Sequence, residues 1–183
     1  MPKVFNLTAV ESHFKQVLRY APSMLGNEAV NFFTDSFRSQ GWLGNRFEPW
    51  KRRRTDGKRK GRSILVDTGR LRRSIRITSN SSGVVKIGTD APYAKAHNEG
   101  FRGQVTVKAH QRNKYKKNRV GSGKFTKKGK ERMKTVSTIS GNYEVQSYTR
   151  RVNLPERRFM GESPYLTQKL KRILQAEFNK GLR

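Results

Sequence analysis

The sequence predicts an α+β fold, with N-terminal helices and one C-terminal helix packed on a small, mostly antiparallel sheet that carries a long basic β-hairpin insertion. Three observations predict it. Apolar residues recur at helical spacing over the first forty residues and again after Ser163. Apolar and polar residues alternate over 75–88, 104–110 and 143–149. Between the last two stretches lie residues 111–142, rich in Lys, Arg, Gly, Ser and Thr, with Glu131 as their only acid. A length of 183 residues suits a single domain, 1–183, with 111–142 as a basic loop inserted in it.

Thr8-Ala9-Val10-Glu11 has capping-box spacing, so Thr8 starts a first helix with Val10, Phe14, Val17 and Leu18 on its inner face. Pro22 ends that helix, and Ser23 caps a second whose stripe is Leu25, Ala29, Phe32, Phe33 and Phe37. Gly41-Trp42-Leu43-Gly44 closes it. Asp67 or Thr68 caps a helical turn that sets Leu71 and Ile75 four apart on one face. Residues 75–78 and 84–88 form a hairpin around a five-residue loop, 79–83. Residues 91–100 make a short helix closed by Gly100. The strands at 104–110 and 143–149 read as arms of one long hairpin, with 111–142 as a tip ordered only by its partners. Ser163 followed by Pro164 starts the last helix, with Leu166, Leu170, Ile173, Leu174 and Phe178 inward and Gly181 at its end.

Composition excludes several functions. There are 41 Lys and Arg against 13 Asp and Glu, a formal net charge of +28, and only 33% hydrophobic residues. Such a chain needs nucleic acid or strongly acidic protein neighbours. The absence of Cys removes disulfides, thiolate nucleophiles and Cys-ligated metal sites. No apolar run of about 18 residues is present, and Met1-Pro2-Lys3-Val4-Phe5 lacks the apolar stretch of a signal peptide, so a cytoplasmic protein without a membrane partner is predicted.

Catalysis finds little support. His13, His97 and His110 fall on three different elements without metal-ligand spacing, and no G-x-S-x-G elbow occurs. Gly121-Ser122-Gly123-Lys124-Phe125 imitates a phosphate loop but has Asn118 where the first Gly belongs and Phe125 in place of Ser or Thr. No enzyme, cofactor or metal is predicted. The charge instead marks two polyanion- or partner-facing segments. One is Lys51, Arg52, Arg53, Arg54, Lys58, Arg59, Lys60 and Arg62. The other is Lys114, Lys116, Lys117, Arg119, Lys124, Lys127, Lys128, Lys130 and Arg132.

Three segments resemble the phage virion morphogenesis family, which includes tail completion proteins of tailed phages and Mu-like prophages. Residues 64–75, Ile-Leu-Val-Asp-Thr-Gly-Arg-Leu-Arg-Arg-Ser-Ile, are similar to "L-x-D-T-G-x-L-x-x-S-I". Residues 85–100 are similar to "V-x-I-G-[TS]-x-x-x-Y-A-x-x-H-x-x-G". Residues 154–161 resemble "I-P-A-R-P-F-L-G", with Glu156 and Arg158 departing from Ala and Pro. The stretch from Trp42 to Trp50 resembles the family's "G-x-x-W" linker, and the basic loop 111–142 has no counterpart in the pattern.

Within the motifs, Asp67, Thr68, Gly69, Leu71, Gly88, Tyr93, His97, Gly100, Pro155 and Phe159 read as structural. Gly69 and Gly88 suit tight turns, Tyr93 and His97 lie on one helix face with their polar tips satisfied, and Pro155 sets an extended entry that Phe159 anchors.

The resemblance implies a tail-completion or head-to-tail joining role in the virion neck. The implied assembly is a homo-oligomeric ring, roughly six or twelve copies, around a channel of double-stranded DNA, made in the bacterial cytoplasm. Its neighbours would be connector, head-closure or tail-terminator proteins, and its basic loops would face either them or the DNA. The alternatives are a sequence-independent nucleic-acid-binding protein, ribosomal or nucleoid-like, and a transient virion assembly factor.

Overall fold

The computed structural model describes residues 7–53, 61–81 and 83–182. The chain divides into two compact units, residues 1–101 with 153–183, and residues 102–152. Among the described residues the strands pair into four two-stranded sheets, and together with the helices they form an α+β protein.

The first unit is organised by α1, Leu7–Ser39. One helix stands where the sequence predicts two, because Pro22 lies inside it rather than ending it. An internal Pro removes a backbone hydrogen bond and costs about 3 kcal/mol; packing on both sides outweighs this. Val17 and Ala21 are buried before Pro22, and Ala29, Phe32, Phe33 and Phe37 after it. Thr8 therefore lies within the helix, and Leu18 points outward, 63% exposed. Ser23 caps nothing; its Oγ accepts a hydrogen bond from Asn80 Nδ2 at 2.8 Å. At Gly26 the helix presses on a hairpin so closely that a Cβ would stand 2.8 Å from Val85 Cγ1.

After α1, Gln40 takes a left-handed φ of 58° and turns the chain. Gly41–Leu43 does not close the helix but forms β1, paired antiparallel with β2, Phe47–Pro49. Then come α2, Arg70–Ser74, and the antiparallel hairpin of β3, Arg76–Ser81, and β4, Val84–Gly88. This hairpin is tighter than predicted, since residues 79–81 continue β3 through a register shift after Ile77. Next follow α3, Ala94–Asn98, and the start of β5, Phe101–Val107. The C-terminal α4, Pro164–Lys180, begins as predicted: Ser163 Oγ accepts from Leu166 N at 3.2 Å, with Pro164 in the first turn. α4 lies on α1 through Phe14–Phe178 edge contact, Phe32–Tyr165 stacking and the Lys169–Glu28 ion pair at 2.5 Å.

The core of this unit joins Phe33, Phe37, Trp42, Trp50, Leu71, Ile75, Phe159 and Leu166. Phe37 and Phe159 are 2% and 1% exposed, and each such side chain contributes roughly 1.5–3 kcal/mol by leaving water. Trp50 Nε1 donates to Arg158 O at 2.7 Å, so this large buried ring also satisfies its polar atom.

In the second unit, residues 111–142 are not an irregular tip. His110–Phe125 is β6 and Glu131–Val145 is β7, paired antiparallel from His110↔Val145 to Phe125↔Glu131. Only residues 126–130 turn, closed by Thr126 N→Lys130 O at 2.8 Å and by Gly129 at φ 73°. The predicted arms split at 108–109 and 146–147. The outer pieces, β5 and β8 (Tyr148–Leu154), pair with each other and not with the ribbon. At about 3.4 Å per residue, the ribbon is about 50 Å long.

Candidate functional site

Motif residues from three distant parts of the sequence line one cleft of about 430 Å³ in the first unit. Ile64, Leu65, Val66 and the turn Asp67-Thr68-Gly69 form one wall, Tyr93 and His97 a second, and Arg157 the third. Each is placed for a local reason. Gln40 holds the run at Ile64 from both sides, its Oε1 accepting from Ile64 N at 2.5 Å and its Nε2 donating to Ile64 O at 3.2 Å.

Gly69 precedes α2 at φ 76°, a conformation that costs other L-residues roughly 1–2 kcal/mol. No side chain caps α2 strongly; Thr68 Oγ1 stands 3.4 Å from Arg70 N, so the capping predicted for Asp67 or Thr68 gives way to the glycine. Asp67 instead pairs with Arg62 at 2.5 Å. Leu71 and Ile75 both reach the core.

The second motif is bolted to the third by Asn98. Its Oδ1 accepts from Phe159 N at 2.9 Å and Met160 N at 3.0 Å, and its Nδ2 donates to Met160 O at 3.0 Å. Gly100, at φ 76°, lets residues 154–156 pass so close that a Cβ would stand 2.9 Å from Glu156 N. Gly88 differs from its predicted role: its φ is not left-handed, and what it gives is close approach to Thr78, whose Cγ2 would lie 3.1 Å from a Cβ at that position. Pro155 precedes Arg157, whose backbone N–H donates to His97 O at 2.9 Å.

Electrostatically the cleft is unusual for its buried cation. Arg157 is 7% exposed, and its Nε donates to Lys51 O at 3.0 Å. No carboxylate of the described residues lies within 4 Å of it. Burial, then the nearby Arg53, pushes its pKa down. A buried ion without its counter-ion is costly by several kcal/mol. Burial, then the Arg157 charge, also lowers the pKa of His97 below the ordinary 6.5. The Tyr93 and His97 rings meet edge-on at 6.0 Å, as expected of one face, but the polar tips are not both satisfied: His97 Nδ1 is buried without a partner. Leu65, in the wall, holds φ 58°, a strained conformation for a branched residue worth roughly 1–3 kcal/mol.

The predicted basic segments distribute differently. Lys51, Arg52 and Arg62 are exposed and Arg53 is half-buried, donating to Ser63 O at 2.6 Å; Arg54, Lys58, Arg59 and Lys60 lie outside the described residues. In the ribbon, Lys114, Lys116, Lys117, Arg119, Lys124, Lys127, Lys128, Lys130 and Arg132 are all exposed. Strand alternation puts Arg112, Lys114, Lys116 and Lys134 on one face and Lys117 and Arg119 on the other. Apolar side chains share both faces: Tyr115 and Ile139 sit opposite each other at 60% and 63% exposure, and Tyr143 faces Arg112. The phosphate-loop imitation is filled by the protein itself, since Gly123 N donates to Glu131 Oε1 at 2.9 Å and Gly121 leaves room for that carboxylate.

Arg157, Asn98, Gln40 and Leu65 went unpredicted as site residues. Arg157 and Leu65 had a signal, Arg157 as the motif position between Pro155 and Phe159 and Leu65 as the leading Leu of the first motif. Among the described residues no three His, Asp or Glu cluster to hold a metal, and no helix is long and apolar enough to cross a membrane. Neither the curated proteins nor the solved structures yield a match. The family model for phage virion morphogenesis, however, matches residues 6–179. That span takes in all three motifs now seen to meet around one cleft, and so the chain belongs to the phage virion morphogenesis family, with a part in assembling the phage particle.

Proposed function

We propose that this chain is a structural neck protein of a tailed phage, completing the tail or joining it to the head as a subunit of a ring around the DNA channel. The observation that carries this reading is the β6–β7 ribbon. A two-stranded ribbon without a core beneath it is marginal in water, and this one exposes Tyr115, Phe125, Met133 and Ile139 among its cations. Cations alone suit DNA phosphates. Apolar side chains interleaved with them suit a protein neighbour with acidic and apolar surface, a connector, head-closure or tail-terminator protein. The ribbon therefore docks on a neighbour, and the Lys and Arg of residues 51–62 and of the 126–130 turn serve the DNA.

Quantitative mass spectrometry of purified tailed particles tests the role. A low, ring-like copy number, with density between head and tail, is the expected result. Presence only in immature assemblies would mean a transient assembly factor, and recovery on cellular nucleic acid alone would mean a general binder. Serine substitution of Lys114, Lys116, Lys117 and Arg119 then separates the two uses of charge. Tails that never attach support docking; heads that carry tails but leak DNA would assign the ribbon to channel sealing.

A further inference from the structure

The cleft lined by the three motifs holds a buried arginine whose terminal donors are not used up within the chain. Arg157 is held by its backbone N–H on His97 O and its Nε on Lys51 O, so the guanidinium is fixed before any ligand arrives. Its Nη groups have no acceptor among the described residues. In the same lining, the buried Nδ1 of His97 has no hydrogen-bond partner among the described residues. An unpaired buried lone pair is tolerated better than an unpaired buried N–H, which assigns the ring proton to Nε2 and makes it a donor as well. The rest of the lining combines an apolar stretch, Ile64, Leu65 and Val66, with the charged Arg53, Asp67 and Arg70, and Leu65 holds a strained conformation of the kind that gathers at ligand sites.

We propose that this cleft is a socket for a carboxylate side chain flanked by an apolar residue, presented by a neighbouring virion protein. A planar carboxylate matches the paired Nη donors of an arginine two-to-two, and the apolar wall takes the flanking side chain. A DNA phosphate fits less well. A duplex is too wide to bring its backbone into a concave site of about 430 Å³. The wall also carries Asp67, paired with Arg62, beside Arg53 and Arg70, so the charge of the lining is positive and the planar two-point match, not charge alone, selects a carboxylate. The choice of a virion protein as the source rests on the assembly role proposed above; the chemistry of the socket does not.

Two measurements test the proposal. In the first, the full-length protein is titrated with butyrate and, separately, with inorganic phosphate at constant ionic strength, while side-chain NMR signals of Arg157 and His97 are followed. Saturable shifts with butyrate are expected, weakened at least tenfold by Arg157→Gln. Val66→Glu, which leaves Arg157 intact and tethers a carboxylate in the cleft, should abolish the response even where Arg157→Gln folds poorly. No saturation, or saturation by phosphate alone, overturns the socket.

In the second, p-benzoylphenylalanine incorporated at Tyr93 is photo-crosslinked during particle production. The expected product is a peptide of another virion protein with Asp or Glu near the link; a link to DNA, or none, overturns the assignment of the source. Binding of butyrate by a chain absent from particles would keep the socket and sink the neck role, so the two failures are distinguishable.

Discussion

The unit formed by residues 1–101 with 153–183 builds a core of buried aromatic residues, whereas the unit formed by residues 102–152 leaves its aromatic residues exposed. Phe33, Phe37, Trp42, Trp50 and Phe159 stack inside the first. Tyr115, Phe125, Met133, Ile139 and Tyr143 stand in solvent on the second, held by cross-strand pairing alone. In the first unit the hydrophobic effect stabilises the chain's own fold. In the second the same kind of side chain stays exposed, as an interaction surface would leave it, which is what the proposed docking role requires. Substitutions should therefore move folding in one unit and assembly in the other.

The largest effect is expected at the centre of the first unit. Phe159→Ala empties the core beside Phe37 and should cost about 3–5 kcal/mol in denaturant unfolding, enough to unfold a marginal domain. Gly100→Ala follows, at roughly 1–3 kcal/mol for the left-handed φ, plus the clash with the Glu156 backbone. In the ribbon, Tyr115→Ser with Ile139→Ser should leave the thermal midpoint of the first unit unchanged while particle assembly falls sharply. A loss of stability there instead would mean that the ribbon's apolar residues already pack within the chain.

The smallest effect is on pH dependence. Because burial and Arg157 lower the His97 pKa in the fold, the unfolded chain takes up a proton first. The stability contributed by neutral His97 is thus present above about 6.5 and is lost as pH falls below it. His97→Gln should flatten that slope, as read from unfolding curves between about pH 5 and 8, a window set by the ordinary histidine range.

Much of the first unit was legible in the sequence because its signals are local. Leu71 and Ile75 four apart, Ser163-Pro164, and Gly100 at a helix end each imply one geometry, and each was found there. Pro22 misled because the rule that Pro ends a helix describes an isolated segment, and here tertiary burial on both sides of it decides. Residues 111–142 misled because a strand without a core face lacks the apolar period that marks most strands. The β-branched residues Thr135, Val136, Thr138 and Ile139, close together in the sequence, hinted at pairing. The socket was hidden by abundance. With 41 Lys and Arg in the chain, a motif position was the one mark on Arg157, and its burial, which is found for no other Lys or Arg among the described residues, shows only once the fold brings Lys51, His97 and Arg157 together.

The contact between the first and last helices also has a consequence in time. His13 Nε2 bonds Glu177 O across 164 residues of sequence, whereas each strand of the ribbon meets its partner through a five-residue turn. Short-range hairpins form in about 1–10 μs; long-range closure waits for its far partner and sets the slow step. During synthesis the ribbon can zip while α4 is still being made, and the aromatic core can close only once α4 has left the ribosome. The ribbon is thus paired before the aromatic core of the first unit is complete.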